Sequence, residues 1–178
     1  QQGDPYITDG YDGILYAAKA GYYGSERGLA IINNSWGGGS FSQFENATIE
    51  VAHDTYNAVI VAAAGNGGPA AAPMFPAAYD DVIAVTAVDA KSRAFRMANR
   101  GSYVDLSALG VDVAHLKPGD GYGTSSGTSY AVPFVSTAVA IIKHQYPEAD
   151  PAKFLFESAK DLGEPGKDDV YGYGLVNP

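Results

Sequence analysis

Unbroken apolar runs alternate along the chain with stretches whose apolar positions recur at helical spacing. Leu29–Asn33, Ala58–Ala64 and Val82–Val88 have the length of buried strands, and Tyr103–Leu106 reads as a fourth, shorter one. Ile14–Ala20 reads as a helix stopped by Gly21, and Glu45–Tyr56 as a helix with Ile49, Val51, Ala52 and Tyr56 on its apolar stripe. From Ser129 to His144 apolar residues sit all round, which predicts a buried helix. Pro151–Lys160 is a last amphipathic helix with proline in its first turn. Strands that are apolar on both faces and separated by helices predict a three-layer α/β fold, a mostly parallel sheet with helices on both faces. Gln1–Gly13 is polar, Ala70–Pro76 is an Ala/Pro loop inside the domain, and no internal repeat divides residues 1–178, so a single domain is expected.

Composition removes several classes of function. The 178 residues carry 20 acidic against 11 basic side chains, a net charge of −9, with no Lys/Arg cluster to offset it locally. Such a surface repels phosphate backbones and anionic lipid, so neither nucleic acid nor a membrane is expected as partner. No segment reaches the eighteen or so apolar residues of a bilayer span. The absence of cysteine excludes a disulfide framework, a thiolate zinc site, an iron–sulfur cluster and a cysteine nucleophile. The chain starts at Gln1 without a leader, which is read as a processed or cut product.

Three segments could carry chemistry. In Gly127-Thr128-Ser129-Tyr130-Ala131-Val132-Pro133 a serine stands where a glycine loop enters a buried helix. There the unpaired amides and the macrodipole stabilise negative charge, and Pro133 withholds an N–H and so frees a carbonyl near Ser129. The competing reading makes Thr128 or Ser129 simply the helix N-cap. In Val61-Ala62-Ala63-Ala64-Gly65-Asn66-Gly67 a buried strand ends in glycine and delivers one amide, able to donate to a developing oxyanion or merely to occupy a turn. Asn34-Ser35-Trp36-Gly37-Gly38 ends a neighbouring strand, and without a following lysine or helix it is no phosphate loop.

Taken together and in this order, these blocks resemble the subtilisin-like serine peptidases, the subtilases, from about Ala30 to the end of the chain. Phe75-Pro76-Ala77-Ala78-Tyr79, Val82–Ala87, Asn99-Arg100-Gly101 and Tyr171–Val176 extend the similarity. The resemblance implies a subtilisin-like fold incomplete on its N-terminal side, and a secreted or cell-surface bacterial peptidase acting on polypeptides through an acyl-enzyme. It makes Ser129 the nucleophile and Asn66 the side-chain donor of the oxyanion hole, with the Ser129 N–H as second donor. Ser35, Trp36, Gly37 and Gly38, with Ala63, Ala64 and Gly65, would line the cleft and pair an extended peptide through their main chain. Phe134 stands where many members have His, Leu109 where Ala-Pro-Gly is usual, and Trp36 where Leu is commoner.

The family's catalytic Asp and His belong to Asp-[Ser/Thr]-Gly and His-Gly-Thr blocks upstream of the Asn-Ser-x-Gly-Gly strand, and neither is present in these residues. His144 lies more than about 20 Å along the helix from Ser129, and His53 and His115 read as exposed polar residues. The expectation is therefore the carboxyl-terminal part of a peptidase domain, inactive alone, which associates with its upstream part or with itself. The alternative is a non-catalytic binding module on the same fold. An esterase-type elbow at Gly123-Thr124-Ser125-Ser126-Gly127 is set aside, because His115–Tyr122 reads as a Pro/Gly loop and not as the strand an elbow requires, and the helix that should follow at once begins only at about Ser129. Calcium is implied only by the resemblance. Asp80-Asp81 and Asp168-Asp169 lack the ligand spacing of a calcium loop and read as turns.

Overall fold

In the computed structural model, residues 7–119 and 121–177 are described. The first helix, α1, runs Ile7–Gly24 and leads into strand β1, Ala30–Asn34. Helix α2, Gln43–Glu50, continues into a wider π-helical turn over Val51–Thr55. Strands β2 (Ala58–Ala63), β3 (Val82–Val88) and β4 (Leu106–Leu109) follow. A hairpin, β5 (Val113–Lys117) and β6 (Gly121–Ser125), precedes helix α3, Thr128–Gln145, and helix α4, Pro151–Ser158.

The main sheet is wholly parallel in the order β1-β2-β3-β4. Its register pairs Ile31 with Val59, Val61 with Ile83 and Thr86 with Ser107. Because strand side chains alternate between faces, β2 divides its apolar residues between two cores. Val61 and Ala63 join Val85, Leu106 and Ala108 against Ala131, Val132, Val135 and Val139 of α3. Ile60 and Ala62 join Val82 and Ala84 against Tyr11, Ile14 and Ala18 of α1 and Ile49 of α2. This is the three-layer α/β arrangement expected from strands apolar on both faces.

Several elements differ from the expectation. Gly21 does not stop α1. A Cβ there would stand 2.6 Å from that of Ala30, so the glycine lets helix and strand approach. Val51 faces solvent while Ile49 and Ala52 are buried. The fourth strand lies three residues later than expected, because Val104 N–H bonds Gly101 in a turn before the ladder begins. His115–Tyr122 belongs to a hairpin, not a loop, with His115 opposite Gly123. Among the described residues β1 pairs only with β2, and on α3 Phe134 (44% exposed) and Ile141 (43%) remain open. Among the described residues no helix is long and apolar enough to cross a membrane.

Candidate active site

Parallel pairing makes β1 and β2 end at the same edge of the sheet, so Asn34-Ser35 and Ala63–Asn66 emerge side by side. The N-terminus of α3 meets them there. Gly127 occupies its N-cap position and offers no side chain. Neither Thr128 nor Ser129 therefore caps the helix. The cap comes from Asn66, whose Oδ1 accepts the Thr128 N–H at 2.9 Å and lies 3.2 Å from the Thr128 hydroxyl. That hydroxyl in turn accepts Gly65 N–H at 3.2 Å. With Oδ1 held by two donors, the amide orientation is fixed and Nδ2 is left to donate. It lies 3.4 Å from where a Cβ on Gly127 would stand, so the two residues are in van der Waals reach.

Ser129 and Ser35 are joined by two reciprocal bonds. Ser129 Oγ donates to the Ser35 carbonyl at 3.0 Å, and Ser35 Oγ donates to the Ser129 carbonyl at 2.9 Å. The second bond depends on Pro133: in a regular helix residue 133 would donate to that carbonyl, and proline has no N–H to give. Asn33 Nδ2 then bonds Ser35 Oγ at 2.8 Å, and Ser136 Oγ bonds Asn33 Oδ1 at 3.3 Å, so the end of β1 is tied to the first turns of α3. As the second residue of α3, Ser129 has an N–H with no partner inside the helix.

The expected cleft wall is narrower than the sequence suggests. Both backbone groups of Gly38 bond Phe75, the N–H at 2.9 Å and the carbonyl at 3.3 Å. Ala64 N–H is taken by Val85, Ala64 carbonyl by the Tyr103 hydroxyl at 2.7 Å, and Gly65 N–H by Thr128. Ala63, Ala64 and Gly65 are buried. These residues support the site from beneath, and their amides cannot pair a peptide. Among the described residues Trp36 and Gly37 keep their backbone groups unpaired. Gly37 must be glycine because a Cβ would meet the Phe75 carbonyl at 2.7 Å and the Met74 methyl at 2.8 Å. The Trp36 ring turns inward onto Tyr11, edge to face at 5.6 Å, which ties the wall to the α1 core.

Residues not singled out by sequence reasoning hold the Asn66 loop. Asn99 Oδ1 accepts Gly67 N–H at 2.7 Å, its Nδ2 donates to the Ala72 carbonyl at 3.3 Å, and its N–H bonds Gly65. Gly65 has φ +113°, and its Cα faces the Asn99 amide with no room for a side chain. Burial pushes the Tyr103 phenol above its ordinary pKa and keeps it a donor to Ala64. The signal was present in Asn99-Arg100-Gly101, but only folding brings it beside Gly65.

None of the three histidines bonds Ser129 among the described residues. His144 is in the last turn of α3, and His53 bonds Asp54 at 2.8 Å. His115 is not a free surface residue: its Nε2 is 2.8 Å from Ser125 Oγ. Asp168 accepts Val170 and Tyr171 N–H on one oxygen and Glu164 N–H on the other, as a turn carboxylate does. The described residues contain no group of three or more His, Asp or Glu arranged to hold a metal ion.

Comparison with known proteins gives consistent matches. A model of the subtilase family matches residues 3–174. Subtilisin DY of Bacillus licheniformis is 35% identical over 161 residues, covering 87% of this chain and 57% of its own. The minor extracellular protease Epr of Bacillus subtilis (strain 168) is 33% identical over 151 residues, 83% of this chain and 23% of its own. Among solved structures, S41 psychrophilic protease superposes with a TM-score of 0.86 at 27% identity, over 99% of this chain and 65% of that one. The chain thus spans less than two thirds of the length of each of these relatives.

Proposed function

The chain belongs to the subtilase family, and on that premise we propose that it supplies the nucleophile half of a secreted serine endopeptidase that cleaves polypeptides through an acyl-enzyme on Ser129. The observation that carries this reading is the meeting of Ser129, the Asn66 amide and the end of β1 at one edge of the sheet. A substrate strand lies along Trp36-Gly37, the backbone there being open to pairing. Ser129 Oγ attacks the scissile carbonyl carbon and loses its proton to a base. The oxygen that becomes negative is met by Asn66 Nδ2 and the Ser129 N–H, both positioned before the reaction starts. The α3 N-terminus favours the same charge. The amine leaves with a proton returned by the base, and water repeats the sequence to release the acid.

The base must reach within about 3 Å of Ser129 Oγ, and no histidine of the described residues does. In our reading the Asp and His are contributed by an upstream polypeptide segment outside these 178 residues, which lies against the outer edge of β1 and the outer side of α3. Secretion is supported by the extracellular relative. Calcium binding is proposed on family grounds. The test is to assemble the chain with a segment bearing the relatives' Asp and His blocks and to follow hydrolysis of a peptide. Hydrolysis that Ser129→Ala abolishes is expected. A correctly assembled complex that binds peptides without cleaving them would establish the binding-module alternative instead.

A further inference from the structure

Beside the Ser129 site the chain holds a second serine–histidine pair, outside the assigned machinery. Ser125, at the end of β6, and His115, in the middle of β5, point to the same face of the hairpin, since His115 pairs with Gly123 and Val113 with Ser125. His115 Nδ1 lies 2.9 Å from the Leu116 carbonyl and its Nε2 lies 2.8 Å from Ser125 Oγ. A carbonyl can only accept, so Nδ1 carries the proton of the neutral ring, and Nε2 is the free base toward which the Ser125 hydroxyl points. The ring is steadied by Tyr130, with centroids 5.6 Å apart. Lys117 shares this face and folds back over Gly123, its Nζ 3.0 Å from where a Cβ of that glycine would stand, which brings a positive charge beside the pair. The strand that the Gly-x-Ser-x-Gly reading lacked is therefore present, and so is a base.

We propose that Ser125 is an activated hydroxyl, with His115 as its general base, that accepts short acyl groups from activated aryl esters independently of Ser129. Ser125 Oγ attacks the ester carbonyl carbon and its proton passes to His115 Nε2. The bond to the aryl oxygen breaks, and the departing aryl oxide takes that proton from the imidazolium. Water, deprotonated by the same nitrogen, then cleaves the acyl-serine to the carboxylic acid and restores Ser125. The chemistry is restricted to such esters for two reasons. Ser125 sits in an ordinary strand without the positive φ of a strained turn, and the pair lies on a half-buried hairpin face with the imidazolium as the one acid at hand for the leaving group.

The 178-residue chain is treated with a fluorophosphonate, whose P–F bond is replaced by P–O with loss of HF, and the modified serine is located by peptide mass. An adduct on Ser125, together with p-nitrophenyl acetate turnover, is expected. His115→Gln should slow both by about 10²-fold, the usual contribution of a general base, while thermal melting shows the fold retained. Absence of a Ser125 adduct, or an equal rate in a folded His115→Gln, overturns the proposal. Should that variant not fold, ¹⁵N spectra of the unmodified chain decide: a neutral His115 protonated on Nδ1 supports the pair, and one protonated on Nε2 overturns it. The adduct position separates this idea from the peptidase reading, which concerns Ser129 alone.

Discussion

Asn66 shows how one side chain serves two partners that need opposite polarity. Its Oδ1 caps α3 through Thr128 N–H, and its Nδ2 is the donor kept for a developing negative charge. A carboxylate can do the first task and not the second. In an assembled peptidase, Asn66→Asp should melt within a degree or two of the parent, yet lose kcat at least as severely as Asn66→Ala, with KM little changed, because the oxyanion exists only in the transition state. Asn66→Ala should lose both functions, with about 1 kcal/mol of stability from the missing cap. Its loss in kcat should be of order 10²–10³, a magnitude that comes from subtilisin itself. Melting curves and steady-state kinetics on the two variants separate the roles. An active Asn66→Asp would remove Asn66 from the oxyanion hole. The site is legible to this extent: Asn66 and Ser35 stand at glycine-flanked strand ends, Ser129 stands where a glycine loop enters a helix, and Pro133 marks a freed carbonyl. That Gly38, Ala64 and Gly65 use their amides internally was not visible, because their partners Phe75, Val85 and Thr128 are distant in sequence.

Among the secondary elements, agreement between sequence and structure followed how completely burial decides a residue's role. Val82–Val88 matches its expected limits because every position in it is buried. For β4 the apolar Tyr103-Val104 looked like strand, but Val104 is buried from a turn and the ladder includes Ser107, whose hydroxyl bonds the Tyr171 carbonyl at 2.8 Å. Hairpin β5–β6 is not legible in the sequence because its alternation is weak and the residues between its strands include Pro118 and Gly119. In α1, Gly21 has the sequence signature of a helix stop but serves as a contact with Ala30, which gives a prediction of opposite signs. Gly21→Ala must push its Cβ against Ala30 and the Leu29 carbonyl and should cost about 1–3 kcal/mol by overpacking. Gly13→Ala meets nothing within 4 Å and should stabilise the helix by about 0.5–1 kcal/mol. Chemical denaturation of both variants tests the pair, and equal effects would deny the close approach. The turn after β3 adds a pH dependence. Asp89 accepts from the Arg93 guanidinium and the backbone N–H groups of Arg93 and Lys91, which push its carboxyl down to about 2 from 3.8. Its folded-state pKa is lowered, so its contribution is complete above the ordinary carboxylate range and disappears as pH falls from about 4 to 2. The melting temperatures of the parent and Asp89→Asn should therefore converge over that interval; a constant gap would contradict the assignment.

For the molecule as a whole, the decisive features are a sheet edge at β1, an open apolar strip on α3 and a net charge of −9. A β1 edge without a partner among the described residues, together with exposed Phe134 and Ile141, favours association, while like charge opposes contact between identical copies. Repulsion dominates at low ionic strength, where the Debye length is about 30 Å at 0.01 M, and weakens when it falls to about 3 Å at 1 M. The isolated chain should therefore stay monomeric in dilute buffer and self-associate as salt is raised, whereas the upstream segment should bind it in both conditions. Sedimentation velocity across that range tests this, and dimers that dissociate with salt would mean that charge pairing, not the apolar strip, holds them. Binding of the segment should also be what makes Ser129 reactive, because a serine without a base within reach is a weak nucleophile. In the isolated chain Ser129 should take up no fluorophosphonate, and it should be labelled on assembly. Ile141→Lys places a charge in the strip without touching the site, so it should weaken segment binding by tenfold or more and leave the labelling rate of the saturated complex unchanged. If affinity is unaltered by Ile141→Lys, the segment docks elsewhere. If Ser129 is labelled at full rate with no segment present, its base already resides in the 178 residues.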